Sequence, residues 1–236
     1  PVTMDDVTSG FNIGTNITTD PWFNDLVGFS EAELREMLTY YKEQGVLMQT
    51  VDETIVMMKP NYDNYCFSEN KLTDCMFNSD MVLYCMKSLI LHGVKPKEIV
   101  DPNIRTDFNK LAYLVRLDHG LGDNFSVIKE VAEKGEIITE IVTHFSALEM
   151  TDVSNFKSLL FYFGLLSIKG VDMMGRPILH VPNLVVREQL FNFLIQGYAR
   201  HDIFKLDVNR LLTLFENMSF KGEWEPLFEF VAEAIR

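Results

Sequence analysis

Hydrophobic positions along the 236-residue chain recur mostly at helical spacing, and capping residues between the runs mark where helices begin. The densest apolar stretch is residues 155–194, NFKSLLFYFGLLSIKGVDMMGRPILHVPNLVVREQLFNFL. From residue 156 to 166 its apolar positions come too closely for a solvated helix. Phe156, Leu159, Leu160, Phe163 and Leu166 therefore read as core rather than as a cofactor box. Two short β-type runs follow, with DMMG at 172–175 as the tip between them, and Pro182 with Asn183 opens another amphipathic helix. Helix, hairpin, helix is a unit that buries its own apolar faces.

Upstream, Ser30 and Glu33 form a capping box ahead of Leu34, Met37, Leu38 and Tyr41, a run that Gly45 stops. A second helix is predicted over 51–59, ended by Pro60. Residues 62–78, YDNYCFSENKLTDCMFN, read as a loop or short hairpin. Asn78, Ser79 and Asp80 cap a helix to about residue 91, with Met81, Leu83, Tyr84 and Ser88 split over two faces and Gly93 at its end. A helix over 106–117 follows the DPN turn at 101–103, the chain breaks at 120–123, and Ser126 caps a helix to Lys134. At 136–145, EIITEIVTHF, the pattern changes to a strand. Asp207 caps a helix to about 218, and 224–236 forms the last one. Residues 1–29 are polar and aperiodic, a loop anchored by Phe11, Trp22 and Phe23. No repeat or low-complexity tract interrupts this order.

Composition narrows the function classes. With 47% hydrophobic and 23% charged residues the balance is that of a globular protein with ample core. No apolar run approaches the roughly 20 residues of a bilayer span. The start, PVTMDD, has no signal-peptide pattern and no initiator Met, which reads as a piece of something longer. A net charge of −13 repels phosphate backbones and argues against broad nucleic-acid binding. Cys66, Cys75 and Cys85 are odd in number and lack CxxC spacing, which fits a reduced, cytoplasmic chain with the thiols as small hydrophobes. Metal binding by Cys66 and Cys75 with a distant His lacks the close ligand pairing of structural zinc sites.

Candidate chemistry is sparse. The five histidines (92, 119, 144, 180, 201) include no pair at i+3 or i+4, and neither GxSxG, HExxH nor GxxxxGK[ST] occurs, so no catalytic residues and no metal ligands are assigned. Asp5 and Asp6, beside Thr3, Thr8 and Ser9, are the adjacent carboxylates a Mg²⁺ site would use, although a solvated loop explains them as well. Arg35, Arg105, Arg116 and Arg187 are each long enough to reach a phosphate. A strand, two helices and a hairpin after the second give the order of a winged helix, with Lys169 and Arg176 on the wing. Residues 151–200 carry five Lys/Arg against three Asp/Glu, a weak basic footprint, and the apolar LLFYFGLL suits a protein partner better than DNA.

Several phrases in order, PVTMDDVTSGFNI, GFSEAELREML, YDNYCFS, FKSLLFYFGLLSIKG and VPNLVVREQL, resemble a bacterial family of AAA-ATPase-like proteins that carry a C-terminal PD-(D/E)XK nuclease-like domain. The resemblance implies a parent with a P-loop core, a helical lid with a winged-helix-like region, and the nuclease-like domain. ATP and Mg²⁺ would belong to the parent, and this chain would bind no cofactor. On that mapping Asp5, Asp6, Thr8 and Ser9 fall nearest the nucleotide, and Arg35 and Arg187 match recurrent family positions suited to phosphate or interdomain contacts. The expected fold is mainly α, a multi-helical lid-like bundle followed by a winged-helix-like unit with a small β hairpin. Residues 1–29 would be a connector from the core, 30–123 the lid-like region, 124–200 the winged-helix-like region, and 201–236 helices leading to the nuclease-like domain. The expected function is non-catalytic coupling of nucleotide state to that domain, with neighbouring domains of the same polypeptide as partners. The alternative is a winged-helix nucleic-acid-binding module.

Overall fold

Three helices begin where a side chain caps them: α1 (Glu31–Glu43) at Ser30, α2 (Val51–Tyr62) at Thr50 and α3 (Ser79–His92) at Asn78. Ser30 with Glu33, and Thr50 with Glu53, each form a reciprocal box that satisfies backbone donors the first helical turn leaves unpaired. The structure, a computed structural model, describes residues 3–4, 16–100, 123–145, 149–201 and 207–235. The helix expected over 106–117 lies outside them, as do Asp5, Asp6, Thr8, Ser9, Phe11, Arg105 and Arg116.

Among the described residues the protein is mainly helical, with a small three-stranded antiparallel sheet. After α3 come α4 (Asp123–Lys134), β2 (Glu136–Ile138), β3 (His144–Phe145), α5 (Val153–Tyr162), β4 (Ser167–Val171), β5 (Pro177–His180) and α6 (Leu184–Arg200). Strand β1 (Thr3–Met4) pairs in parallel with β3, and the larger sheet has the order β2-β5-β4. Ile137, Leu179 and Ile168 lie side by side across those three strands, and all are buried, which gives the sheet its inner face. The hairpin turns at 172–175, as its composition predicts: the Asp172 carboxylate accepts from the Met174 and Arg176 backbone N–H groups.

Four expectations are corrected by tertiary contacts. Helix α2 runs through Pro60 to Tyr62, because burial of the Tyr62 ring holds the last turn in place. Helix α4 starts before Ser126, with Asn124 and Phe125 buried in its first turn and Asn124 Nδ2 donating to Thr151 O at 2.8 Å. The strand expected over 136–145 is split, since the Val142 N–H donates to Ser158 Oγ at 2.9 Å instead of to a ladder. Trp22 and Phe23 are 86% and 40% exposed and anchor nothing; Asn24, 1% exposed, does so instead.

The chain divides into two compact units, residues 1–190 and residues 191–236, so α6 begins in the first and ends in the second. In the first, Leu34, Leu38, Met58, Met81 and Leu89 from α1–α3 share one core with Val185 of α6. The second continues with α7 (Val208–Lys221), capped by Asp207, and α8 (Glu225–Ile235). Gly222 ends α7, and the Arg210 guanidinium lies 5.0 Å over the Phe230 ring.

Candidate functional site

The residues that follow α2 join the helical half of the first unit to its sheet. Tyr62 fixes the end of α2: its hydroxyl donates to Ile99 O at 3.2 Å, and its carbonyl accepts the Asn78 N–H at 2.8 Å. The chain then turns at Asn64, whose φ of 73° is left-handed, a conformation that Asn tolerates better than most side chains do. Asn64 Nδ2 donates to Pro182 O at 3.0 Å, and Asn183 Nδ2 donates to Asp63 O at 3.1 Å. Asn183 Oδ1 accepts the Val186 N–H at 3.2 Å, so one buried amide both caps α6 and ties it to the turn.

Two residues further, the Cys66 N–H donates to Ser167 Oγ at 2.7 Å, and the Ile168 N–H donates to Cys66 O at 3.1 Å. Asn24 closes the other side. Its Oδ1 accepts the Phe67 and Ser68 N–H groups at 3.0 and 3.1 Å, and its Nδ2 donates to Asp74 O at 2.9 Å. These are buried backbone groups, for which leaving a partner unmade costs about 1–3 kcal/mol each. The turn is a clamp built from polar bonds inside the molecule.

Asp63 is the charged member of the clamp. Burial raises its carboxyl above the usual value of 3.8, against the Asn64 N–H, which donates to it at 2.7 Å, and nearby Lys59. An acid held above its unfolded value binds its proton more tightly when folded. Stability therefore falls as pH climbs from 3.8 through the raised value. Asp63→Asn keeps the acceptor and removes the titration. Because Glu31, Glu33, Glu53 and Glu130 are held below their usual values and add stability as pH rises, the readout is a difference: the urea midpoint of Asp63→Asn is expected to rise relative to that of the parent protein as pH climbs across that window.

A cleft of about 390 Å³ opens beside the clamp, lined by Pro60, Lys134, Gly135, Pro182, Asn183 and Arg187 among others. Arg187 therefore sits on the first turn of α6 at this cleft, while Lys134 is held by Glu130 at 2.7 Å. Arg35 belongs elsewhere: it bonds Glu31 and Asp52 at 2.9 and 2.7 Å and, with Lys59 on Glu31, ties α1 to α2. On the wing, Lys169 pairs with Glu136 at 2.6 Å and Arg176 with Asp172 at 2.7 Å, so carboxylates already face both expected contacts. The exposed tip is instead Met173 and Met174. No helix among the described residues is long and apolar enough to cross a membrane, and they hold no group of three or more metal-ligating side chains.

Of the residues that build the clamp, Cys66 was marked in the sequence only as a small hydrophobe or metal-ligand candidate and Asn183 only as the opening of a helix, and Asn24, Asp63 and Asn64 were not singled out. Neither was the proximity of Cys66 and Cys75. A hydrogen bond between the two thiols draws Cys66 down to about 7, against the opposing effect of burial, and pushes Cys75 up; Cys66 Sγ also lies 3.1 and 3.5 Å from the carbonyl oxygens of Ser68 and Lys71. Cys85 behaves as the small hydrophobe expected, its thiol pushed up to about 11 by burial. Comparisons with protein-family models, with curated proteins and with solved structures each found no match to this chain.

Proposed function

We propose that this chain is the regulatory middle region of a P-loop AAA-ATPase-like protein and relays nucleotide state to a nuclease-like domain. The observation that carries this reading is the clamp after α2. Helices α1–α3 and the sheet are joined through buried bonds from Asp63, Asn64 and Cys66, and Val185 of α6 packs into the α1–α3 core. A displacement imposed on the helices is therefore passed to the hairpin and to α6 rather than absorbed between them. In this reading the parent's core holds ATP and Mg²⁺ in the cytoplasm, and the partners of this chain are its neighbouring domains. By the family resemblance, Asp5, Asp6, Thr8 and Ser9 would be the nucleotide-proximal residues, and Arg187 would make an interdomain or phosphate contact.

Within that role we read α4, β2, α5 and the β4–β5 hairpin as a winged-helix-like unit, which the strand order β2-β5-β4 supports. Helix α5 would be the recognition helix of a DNA-binding module, but six of its ten residues are buried, Phe156, Leu159 and Leu160 among them. Burial of that face favours protein packing over groove reading.

Two titrations test the choice. Calorimetry with Mg-ATP on this chain alone is expected to show no binding, since in this reading phosphate and metal contacts belong to the parent's P-loop core; micromolar affinity would overturn the proposal. A gel shift with duplex DNA at low and moderate salt is expected to show no complex. A salt-sensitive complex lost in Lys169→Glu with Arg176→Glu would replace the proposal with the nucleic-acid reading.

A further inference from the structure

Tyr65 and Met76 exchange both of their backbone hydrogen bonds, at 3.1 and 2.8 Å, across an antiparallel bridge. The next residues along the two segments, Cys66 and Cys75, therefore oppose each other at a non-hydrogen-bonded position. There, Cα atoms are typically about 4.5 Å apart and the side chains leave the same face. A disulfide accepts Cα separations of roughly 4.4–6.8 Å. The sulfurs point to one place: Cys66 Sγ lies 3.5 Å from Lys71 O and Cys75 Sγ 3.4 Å from Leu72 O, consecutive carbonyls of the loop that the bridge closes. Both thiols are free, Cys66 is fully buried, and Cys75 is half-buried and so open to a small reagent.

We propose that Cys66 and Cys75 are a reversible redox pair, converted to a disulfide by a peroxide, and that the bond locks the clamp between the helices and the sheet. The reaction balances. The pair gives up one proton, which leaves Cys66 as the thiolate and Cys75 as the thiol; as Cys75, the sulfur that reaches solvent, attacks one peroxide oxygen, its proton passes to Cys66. The O–O bond breaks, hydroxide leaves and is protonated to water, and Cys75 becomes a sulfenic acid. Cys66 then attacks the Cys75 sulfur, its proton passes to the departing hydroxide as the S–O bond breaks, a second water leaves, and the S–S bond forms. Two thiols are oxidised and one peroxide is reduced; a dithiol reverses the step. Transient disulfides of this kind are the form that cysteine pairs take in reducing compartments. The lock follows from the Cys66 backbone, whose N–H and C=O are bonded to Ser167 and Ile168 of β4. Fixing its side chain to Cys75 removes the freedom that β4 needs to detach.

The proposal rests on backbone register and is independent of any link to an ATPase. Brief treatment of the folded chain with hydrogen peroxide, followed by unreduced peptide mapping, is expected to yield one cross-linked peptide joining Cys66 to Cys75, lost on adding dithiothreitol. The thermal midpoint is expected to rise by roughly 5–10 °C, and amide exchange at Ile168 to slow. Cys85→Ser is expected to behave like the parent. Cys75→Ser, at the more exposed position, is expected to keep the fold and abolish the cross-link, so the test does not depend on Cys66→Ser folding. Thiols that remain free, that go to sulfinic acid without cross-linking, or that pair through Cys85 would overturn the pair. A cross-link that leaves Ile168 exchange unchanged would overturn the lock.

Discussion

Phe156→Ala is expected to lower stability by about 3–5 kcal/mol. The ring is 0% exposed and lies on α5 among Leu159, Leu160 and Phe161, all buried. Removing it deletes the ring's transfer energy and leaves a cavity that helices held on several sides cannot close. The thermal midpoint should fall by roughly 6–20 °C, and the urea midpoint should fall with little change in slope. Val153→Ala, at the exposed start of the same helix, is expected to change stability by less than about 0.5 kcal/mol. The contrast bears on function as well. A loss below about 1 kcal/mol for Phe156→Ala would mean that the face is not committed to the core, and would reopen α5 as a surface that reads a ligand.

What was legible in the sequence was local chemistry. Ser30, Asn78 and Asp207 each cap a helix within three residues of themselves, and Asp172 organises its turn within four. In the apolar run at 156–166, Phe156, Leu159, Leu160 and Leu166 are buried as expected, since density alone identifies a segment with little solvated face, whereas Phe163, at the C-cap of α5, is only half-buried. The errors came where a distant partner decided the outcome. Pro60 looked like a stop, but burial of Tyr62 carried the helix past it. The β character of 136–145 yielded in its middle to a hydroxyl from α5. Aromatic Trp22 and Phe23 looked like anchors because they are large, yet Asn24 has backbone donors and an acceptor within reach and is the residue the fold buries.

The clamp was the least legible part, and separation along the chain explains why. Cys66 meets Ser167 across 101 positions, Asn64 meets Pro182 across 118, and Asn183 meets Asp63 across 120. Nothing in the spacing of Asn or Cys residues announces such partners. The two cysteines were hidden differently. They are nine positions apart in a stretch read as a loop or hairpin, and only the register of Tyr65 on Met76 shows that they face each other. The basic wing shows the reverse case: Lys169 and Arg176 were visible as charges, and what could not be seen was that Glu136 and Asp172 face them.

Gly28→Ala is expected to cost about 3 kcal/mol or more, from two sources that add. The residue has φ of 109°, where an L side chain is strained whatever the space around it. A Cβ there would also stand 2.7 Å from Phe77 O and 2.9 Å from Met76 Cβ. Neither obstacle is the tip of a flexible side chain. Phe77 O is held by the Phe29 N–H at 2.9 Å, and Phe29 O accepts the Phe77 N–H at 2.7 Å, so relief means opening that bridge. Gly45→Ala separates the two sources: it has φ of 71° but nothing within 4 Å of its Cβ, and is expected to cost only about 1 kcal/mol. Equal losses for the two variants in urea unfolding would show that contact at Gly28 contributes nothing. Because Phe77 and Met76 lead directly into Cys75, a displaced bridge also shifts Cys75 from its place opposite Cys66. Gly28→Ala should therefore cross-link more slowly with peroxide than Gly45→Ala, under conditions in which both remain folded.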